Sequence, residues 1–501
     1  MGAVLIALAF FLATVSATAQ SPSPSPSATP QPVRAHRVVS TSSPEAQADF
    51  DDGLTLLYAF NPEEARRSFE RAAKADPALA MAWWGVAMSH GVNINTAFEP
   101  AQQQRGHDAI VRAQTLESGA SSAERKLIEA AVVRFTYAGK KDADRSAKAY
   151  RDAMNAVADE LPLDDDVQTL AAEAEMDTHG WEYFSADGVP AEGTLGIISR
   201  LQNVLSRSPH HLGANHYLIH ALEESPHPER ALAAADYLAS IPLEPAAEHL
   251  IHMPAHAYMR AGHYHAAGVA NVRAIAAYRI YLDGDPAGHS DYFGHDCVFG
   301  VEAFLMSDER AAALDLARTC ARHGATMAQV VDLRFHRWDA LESDDNLGDF
   351  SLGMLAVVRG HLPAAKAQLK SVHGGDDTVS KIEYQLLTAS IARAEGRSDD
   401  EIAALQRGVA LEDDTWYSEP PRFSFPVRES LGAALDRAQR YTEAEAVFRA
   451  DLERNPANPR SLYGLARTLE KEGRSDEAAA VDKSFAAASS QADVRFDLKD
   501  F

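Results

Sequence analysis

The chain has 501 residues, with 47 Lys and Arg against 72 Asp and Glu, and a formal charge of −25. Such an acid excess excludes a nucleic-acid backbone as partner, because phosphate neutralisation needs clustered Lys and Arg, and it opposes an anionic membrane surface. Two cysteines, Cys297 and Cys320, are too few for a disulfide scaffold or a zinc ribbon, and 46% hydrophobic residues leave an ordinary folded protein.

Residues 2–19 (GAVLIALAFFLATVSATA) form an uncharged apolar run that ends in small residues at Ala17 and Ala19. This predicts a signal peptide over 1–19, and hence an exported protein, periplasmic or secreted. An uncleaved run would instead leave the protein tethered to the membrane. Residues 20–43 carry Ser-Pro repeats, an extended linker rather than core. The folded part is expected from Pro44. No later stretch approaches 18 apolar residues, so no membrane span is expected after signal cleavage.

From there the apolar residues recur at helical spacing, and the pattern repeats. Ala65, Phe69, Ala72 and Pro77 are echoed by Ala444, Phe448 and Pro456. Turns that lead into a new helix recur at Gly262-x-Tyr264, Gly360-x-Leu362 and Gly473. Trp83 falls six residues after Pro77, and Leu462 and Leu465 follow Pro456. These residues resemble the tetratricopeptide repeat, a helix-turn-helix unit of 34 residues. The resemblance implies an all-α solenoid in which each unit buries its apolar face against the next. It divides the chain into N-terminal helices (44–160), a central His-rich region (161–325), C-terminal repeats (326–490) and a tail (491–501).

The central region carries the chemistry. Six histidines fall between His216 and His256, five of them in NHYLIHALEE and EHLIHMPAHAYMR and the sixth at His227. His216, His220 and Glu223 share one helix face, and His249, His252 and His256 share another if that helix is continuous. Pro254 raises a second possibility, a helix that starts near Met253 and leaves His249 and His252 on an irregular lead-in. Aligning Ala231 with Ala267 puts His216 and His220 at the same repeat positions as His252 and His256. The tetratricopeptide resemblance then implies that these side chains line the concave groove. Packed helices stand about 8–10 Å apart, so facing imidazoles can converge on one ion.

Neutral imidazoles suit Zn, Cu or Fe, and i, i+4 pairs are the helical way to present two ligands. The expected ligands of such a transition-metal ion are therefore His216, His220, Glu223, His249, His252 and His256. His295, Glu175 and Asp177 are secondary candidates, and Cys297 and Cys320 can pair in an oxidising compartment. Three readings follow: a metal-dependent enzyme of unspecified reaction, metal storage or delivery, and a non-enzymatic scaffold that binds a peptide or protein in the groove. No Walker loop, GxSxG elbow, HExxH or dinucleotide glycine fingerprint is present, so an enzyme here must use the His-rich centre. The His-rich stretch and FDDGLTLLYAFNPEEARRSFERAAKADP also resemble a group of exported bacterial tetratricopeptide proteins, a likeness that implies no particular reaction.

Overall fold

The computed structural model describes residues 31–136, 139–285, 292–372, 375–415 and 417–501, without the side chains of 322–326. The expected signal peptide and the Ser-Pro repeats lie outside the described residues. Described residues form an all-α, tetratricopeptide-type stack of helix pairs, with a single isolated bridge, Phe184 to Pro190, as their only β pairing. Among them, no helix is long and apolar enough to cross a membrane.

One turn recurs along the stack. Two residues beyond the end of a helix the backbone turns left-handed, at Phe60, Gly262, Asp308, His336, Gly360, Gly396, Gln439 and Gly473. The next residue's N–H then donates to the carbonyl five residues earlier, as from Asn61 to Leu56 and from Arg474 to Leu469, both at 3.0 Å. This satisfies a helix-end carbonyl and sends the chain back antiparallel. Half of these turns use a residue other than glycine, and Phe60 is the bulkiest.

Glycine is needed where helices of adjacent units touch. Phe69 is fully buried, and its ring lies 2.7 Å from where a Cβ on Gly53 would stand and 2.3 Å from one on Gly85. Phe448 repeats this between Gly432 and Gly464, at 2.5 and 2.3 Å. The ring thus fills the seam between its own unit and the next at both ends of the chain, which is the packing the repeat pattern implies.

Two larger cores result. One runs from Val39 to Ala303, and the other from Phe350 to Ala478, with a smaller one around the Cys297–Cys320 disulfide between them. The described residues ahead of Pro44 also belong to the fold. Residues 31–43 are extended and docked, with Arg37 donating to Asp164 at 2.7 Å and the Val33 N–H to the Pro242 carbonyl at 2.8 Å.

The cores meet at buried ion pairs. Arg460 pairs with Asp308 at 2.9 Å, and Arg334 grips Glu429 through two contacts of 2.5 and 3.0 Å. Burial opposes the charge on Glu429, but the Arg334 guanidinium prevails and holds the carboxyl below its ordinary value of 4.5. A carboxyl with a lowered value contributes stability that is present above about pH 4.5 and lost as pH falls through the folded-state value. Glu429→Gln should therefore cost about 3 kcal/mol at pH 7, and should flatten the fall in thermal midpoint between neutral pH and pH 3. An unchanged midpoint at pH 7 would remove the pair from the stability of this junction.

Candidate metal centre

The helix Leu212–Glu223 is buried on every side, as expected of a helix with apolar residues all round. Its start is capped by His211, whose Nδ1 accepts from the Ala214 N–H at 3.1 Å. Within it His216 and His220 share one face, and His249 approaches from the short helix Glu248–His252. These three form one group: each offers a nitrogen within 4.8 Å of the others, and His216 Nε2 and His249 Nε2 stand 3.2 Å apart. Two ligands held 2.0–2.1 Å from one ion have this separation at an angle of about 100°.

A second group is built in the same way from His252, His256 and His295. The backbone stays helical through Met253 into the helix Pro254–Arg260, so Pro254 does not carry His252 away from His256. His252 Nε2 lies 2.7 Å from His256 Nε2 and 3.2 Å from His295 Nε2. The groups adjoin, with ring centroids 5.5 Å apart for His220 and His256 and 5.9 Å for His249 and His252.

The partners of the Nδ1 atoms set which nitrogens are bare. His216 Nδ1 donates to the Tyr58 carbonyl at 2.6 Å. His252 Nδ1 donates to Asn271 Oδ1 at 2.7 Å, and that amide is oriented by its own bond to the Ala267 carbonyl. His220 Nδ1 bonds Glu223 Oε1 at 3.1 Å. With protons held on these outer nitrogens, the Nε2 lone pairs turn inward. His220 Nε2 is buried with no hydrogen-bond partner.

Burial pushes His216, His249, His252 and His256 well below the ordinary imidazole value, and neighbouring imidazoles push the same way. Burial takes His220 down to about 3, and burial with His220 nearby takes His295 to about 4. At neutral pH the six rings are uncharged, the form that ligates metals. Burial drives the Glu223 and Asp296 carboxyls the other way, well above their ordinary range. Asp296 Oδ1 is 3.2 Å from His252 Nδ1. A cation among bare nitrogens and buried carboxyls offsets the cost of both.

The structure brings together His216, His220, His249, His252, His256 and His295. Glu223 stands behind them: its two oxygens face Nδ1 atoms, 3.1 Å from His220 and 2.7 Å from His256, the latter without hydrogen-bond alignment. Glu175 and Asp177 do not join. Asp177 meets the buried Arg134 guanidinium at 3.2 Å, and Glu175 faces Arg151 at 3.7 Å. A buried guanidinium draws in the nearest carboxylates, and Arg134 does this to Asp177 and Glu173. The expected open groove is also not what encloses these rings. His216, His220, His249, His252 and His256 are only 0–3% exposed.

Three contributors have no local signal in the sequence. The Tyr58 carbonyl orients His216 from 158 residues away. Glu419, in the loop after the helix Ser398–Asp413, sets its carboxylate against His256 Nδ1 and forms a third group with His256 and Glu223. Phe60 stacks over His249 and His220, with centroids 5.6 and 6.1 Å apart. The stretch FDDGLTLLYAF, with its likeness to exported tetratricopeptide proteins, is the one sequence feature that covers the Tyr58–Phe60 turn. Phe60 and Trp181 both have positive φ, at 52° and 70°, and Trp181 meets His220 edge-on at 5.1 Å. Two strained aromatic residues on one imidazole group mark a place where the surroundings over-determine the backbone.

No family model matches the chain, and no curated protein matches it. Among solved structures it is similar to the Cut9–Hcn1 hetero-tetramer of the APC/C, with 14% identity over 89% of this chain and 73% of that one and a TM-score of 0.31. It is also similar to the human IFIT1 dimer with m7Gppp-AAAA (13% identity, 90% and 91% covered, TM-score 0.34) and to the P58(IPK) TPR domain (11%, 86% and 99%, TM-score 0.22). None of these likenesses bears on the histidines.

Proposed function

We propose that this protein is an exported metalloenzyme whose two three-histidine groups hold a pair of transition-metal ions. The observation that carries the reading is the matched construction of the groups, six neutral imidazoles on adjoining faces, with the Nδ1 protons of His216, His220 and His252 anchored outward. An all-nitrogen donor set favours Cu, Zn or Fe over Mg or Ca. Three protein ligands per ion leave a position open, where a bound ion supplies Lewis acidity to water or, for Cu or Fe, redox chemistry with dioxygen. Storage or delivery of metal uses the same ligands and differs only in turnover. The Cys297–Cys320 disulfide and the apolar N-terminal run support an oxidising compartment.

Elemental analysis tests the site. The purified protein should carry about two equivalents of one transition metal. His216→Ala and His252→Ala should each lose about half of it, and the double variant should lose all. A protein that takes up no Cu, Zn or Fe on reconstitution would end the proposal. Glu223 lies behind one imidazole of each group, so Glu223→Gln should weaken metal affinity about 10–100-fold while leaving the ligands in place, read by competition with a chelator. Unchanged affinity would make Glu223 a packing residue.

A second reading, peptide binding, is favoured by the C-terminal repeats. A cavity of about 360 Å³ there is lined by Arg334, Arg393, Arg437 and Arg460 and by residues 499–501 of the chain itself. Arg437 donates to the Leu498 carbonyl at 3.1 Å and Arg393 to the Lys499 carbonyl at 2.8 Å. A chain lacking 491–501 should bind a synthetic peptide of that segment in a fluorescence anisotropy titration, and Arg393→Ala should weaken the binding. Absence of binding would leave this groove a packing surface.

A further inference from the structure

A cavity of about 130 Å³ lies between the helix Pro254–Arg260, the helix Phe293–Met306 and the loop at 417–426. Phe299 and Glu419 line it, and both also touch His256, Phe299 with ring centroids 5.1 Å apart and Glu419 through its carboxylate on Nδ1. The cavity therefore abuts the second imidazole group. Met259, Met306 and Phe423 supply apolar wall.

Several of its polar atoms have nothing to bind. Tyr264 Oη, Tyr417 Oη and Glu302 Oε2 are buried without a hydrogen-bond partner, on residues of which Tyr264 is 4% and Glu302 5% exposed. Unpartnered buried polar atoms are costly, and several in one cavity point to a ligand that satisfies them. Arg260 is the charged member. Its Nε donates to the Glu223 carbonyl at 2.9 Å, which fixes the guanidinium, and its Cζ lies 5.6 Å from the Tyr417 ring centre. Among the described residues no carboxylate pairs with it, whereas Arg454 in the same wall is matched by Asp413 at 2.9 Å.

An unmatched guanidinium that shares a cavity with two unpartnered phenolic hydroxyls is a receptor for an anion. The guanidinium fork fits a carboxylate best. Glu302 does not spoil this: burial pushes its carboxyl up to about 8, so at neutral pH it is protonated and can donate as well. An apolar cavity of about 150 Å³ admits benzene, so the space here suits one ring-sized body.

We propose that this cavity binds a small monocarboxylic acid, with its carboxylate on Arg260 and its apolar body beside Phe299. The acid is the substrate class of the proposed centre, and in that respect the inference rests on the metalloenzyme reading.

Isothermal titration of benzoate and of its neutral analogue benzyl alcohol, into metal-loaded and chelator-stripped full-length protein, tests both parts. Benzoate should bind about tenfold or more tightly than benzyl alcohol. Arg260→Gln should lose that advantage with its helical circular dichroism and metal content unchanged, and Tyr417→Phe should weaken benzoate a few-fold. Equal binding of the two probes, no benzoate binding at millimolar concentration, or full benzoate affinity in Arg260→Gln would overturn the proposal. If wild-type protein binds benzoate but takes up no metal, the metalloenzyme reading falls and the acid site stands. If benzoate binds the loaded protein without changing the visible or paramagnetic spectrum of a bound copper ion, the acid is not positioned at the centre and its role as substrate falls.

Discussion

A fully buried carboxylate reaches one imidazole of each histidine group: Glu223 has one oxygen at His220 Nδ1 and the other at His256 Nδ1. Its place at the end of a helix enclosed on every side means that neither contact competes with water. In a low-dielectric interior a carboxylate so placed is affordable only beside positive charge or as a neutral acid. The imidazoles around it are themselves held uncharged by burial. The charge balance in this part of the molecule is met by a proton on the carboxyl or by a cation among the nitrogens.

The repeat architecture supplies the means. A stack of helix pairs puts consecutive helices side by side at a fixed spacing, so side chains at the same repeat position come to equivalent places. His216 with His220, and His252 with His256, are two copies of one arrangement, each completed by a third ring from a later helix, His249 and His295. The departures from regularity are local. The stretch between Ala231 and His252 breaks into short helical pieces, which brings His249 back against His216. Loops at Trp181 and Glu419 then cover what would otherwise be an open face.

Much of this was legible in the sequence because it depends on residue spacing. The helical period, the Phe69 and Phe448 seams and the i, i+4 histidine pairs are local patterns, and the 36-residue offset between the pairs is a property of the repeat. The turns were only half legible. Glycine marks a left-handed residue in a sequence, but Phe60, Asp308, His336 and Gln439 adopt the same conformation without that mark. Glu175 and Asp177 were secondary candidates whose surroundings the sequence does not show, because the guanidinium that claims Asp177 sits 43 residues earlier and shows its burial only in three dimensions. Glu419 was invisible for the same reason. A single glutamate in a Pro-rich loop has no period, and only the folded chain shows what it meets.

The hydrogen bond from His216 to the Tyr58 carbonyl spans 158 residues of chain, and Glu419 approaches His256 from a still greater distance in the other direction. Five of the six histidines lie within one short stretch, and His220 and His252 are oriented by nearby residues, but the groups that meet His216 and His256 come from the first helix pair and from a late loop. Chain closure over such lengths is slow and comes late in folding. The arrangement of the two groups is therefore a property of the finished molecule: a nascent or partly unfolded chain has all six rings, and lacks the distant contacts that orient His216 and His256.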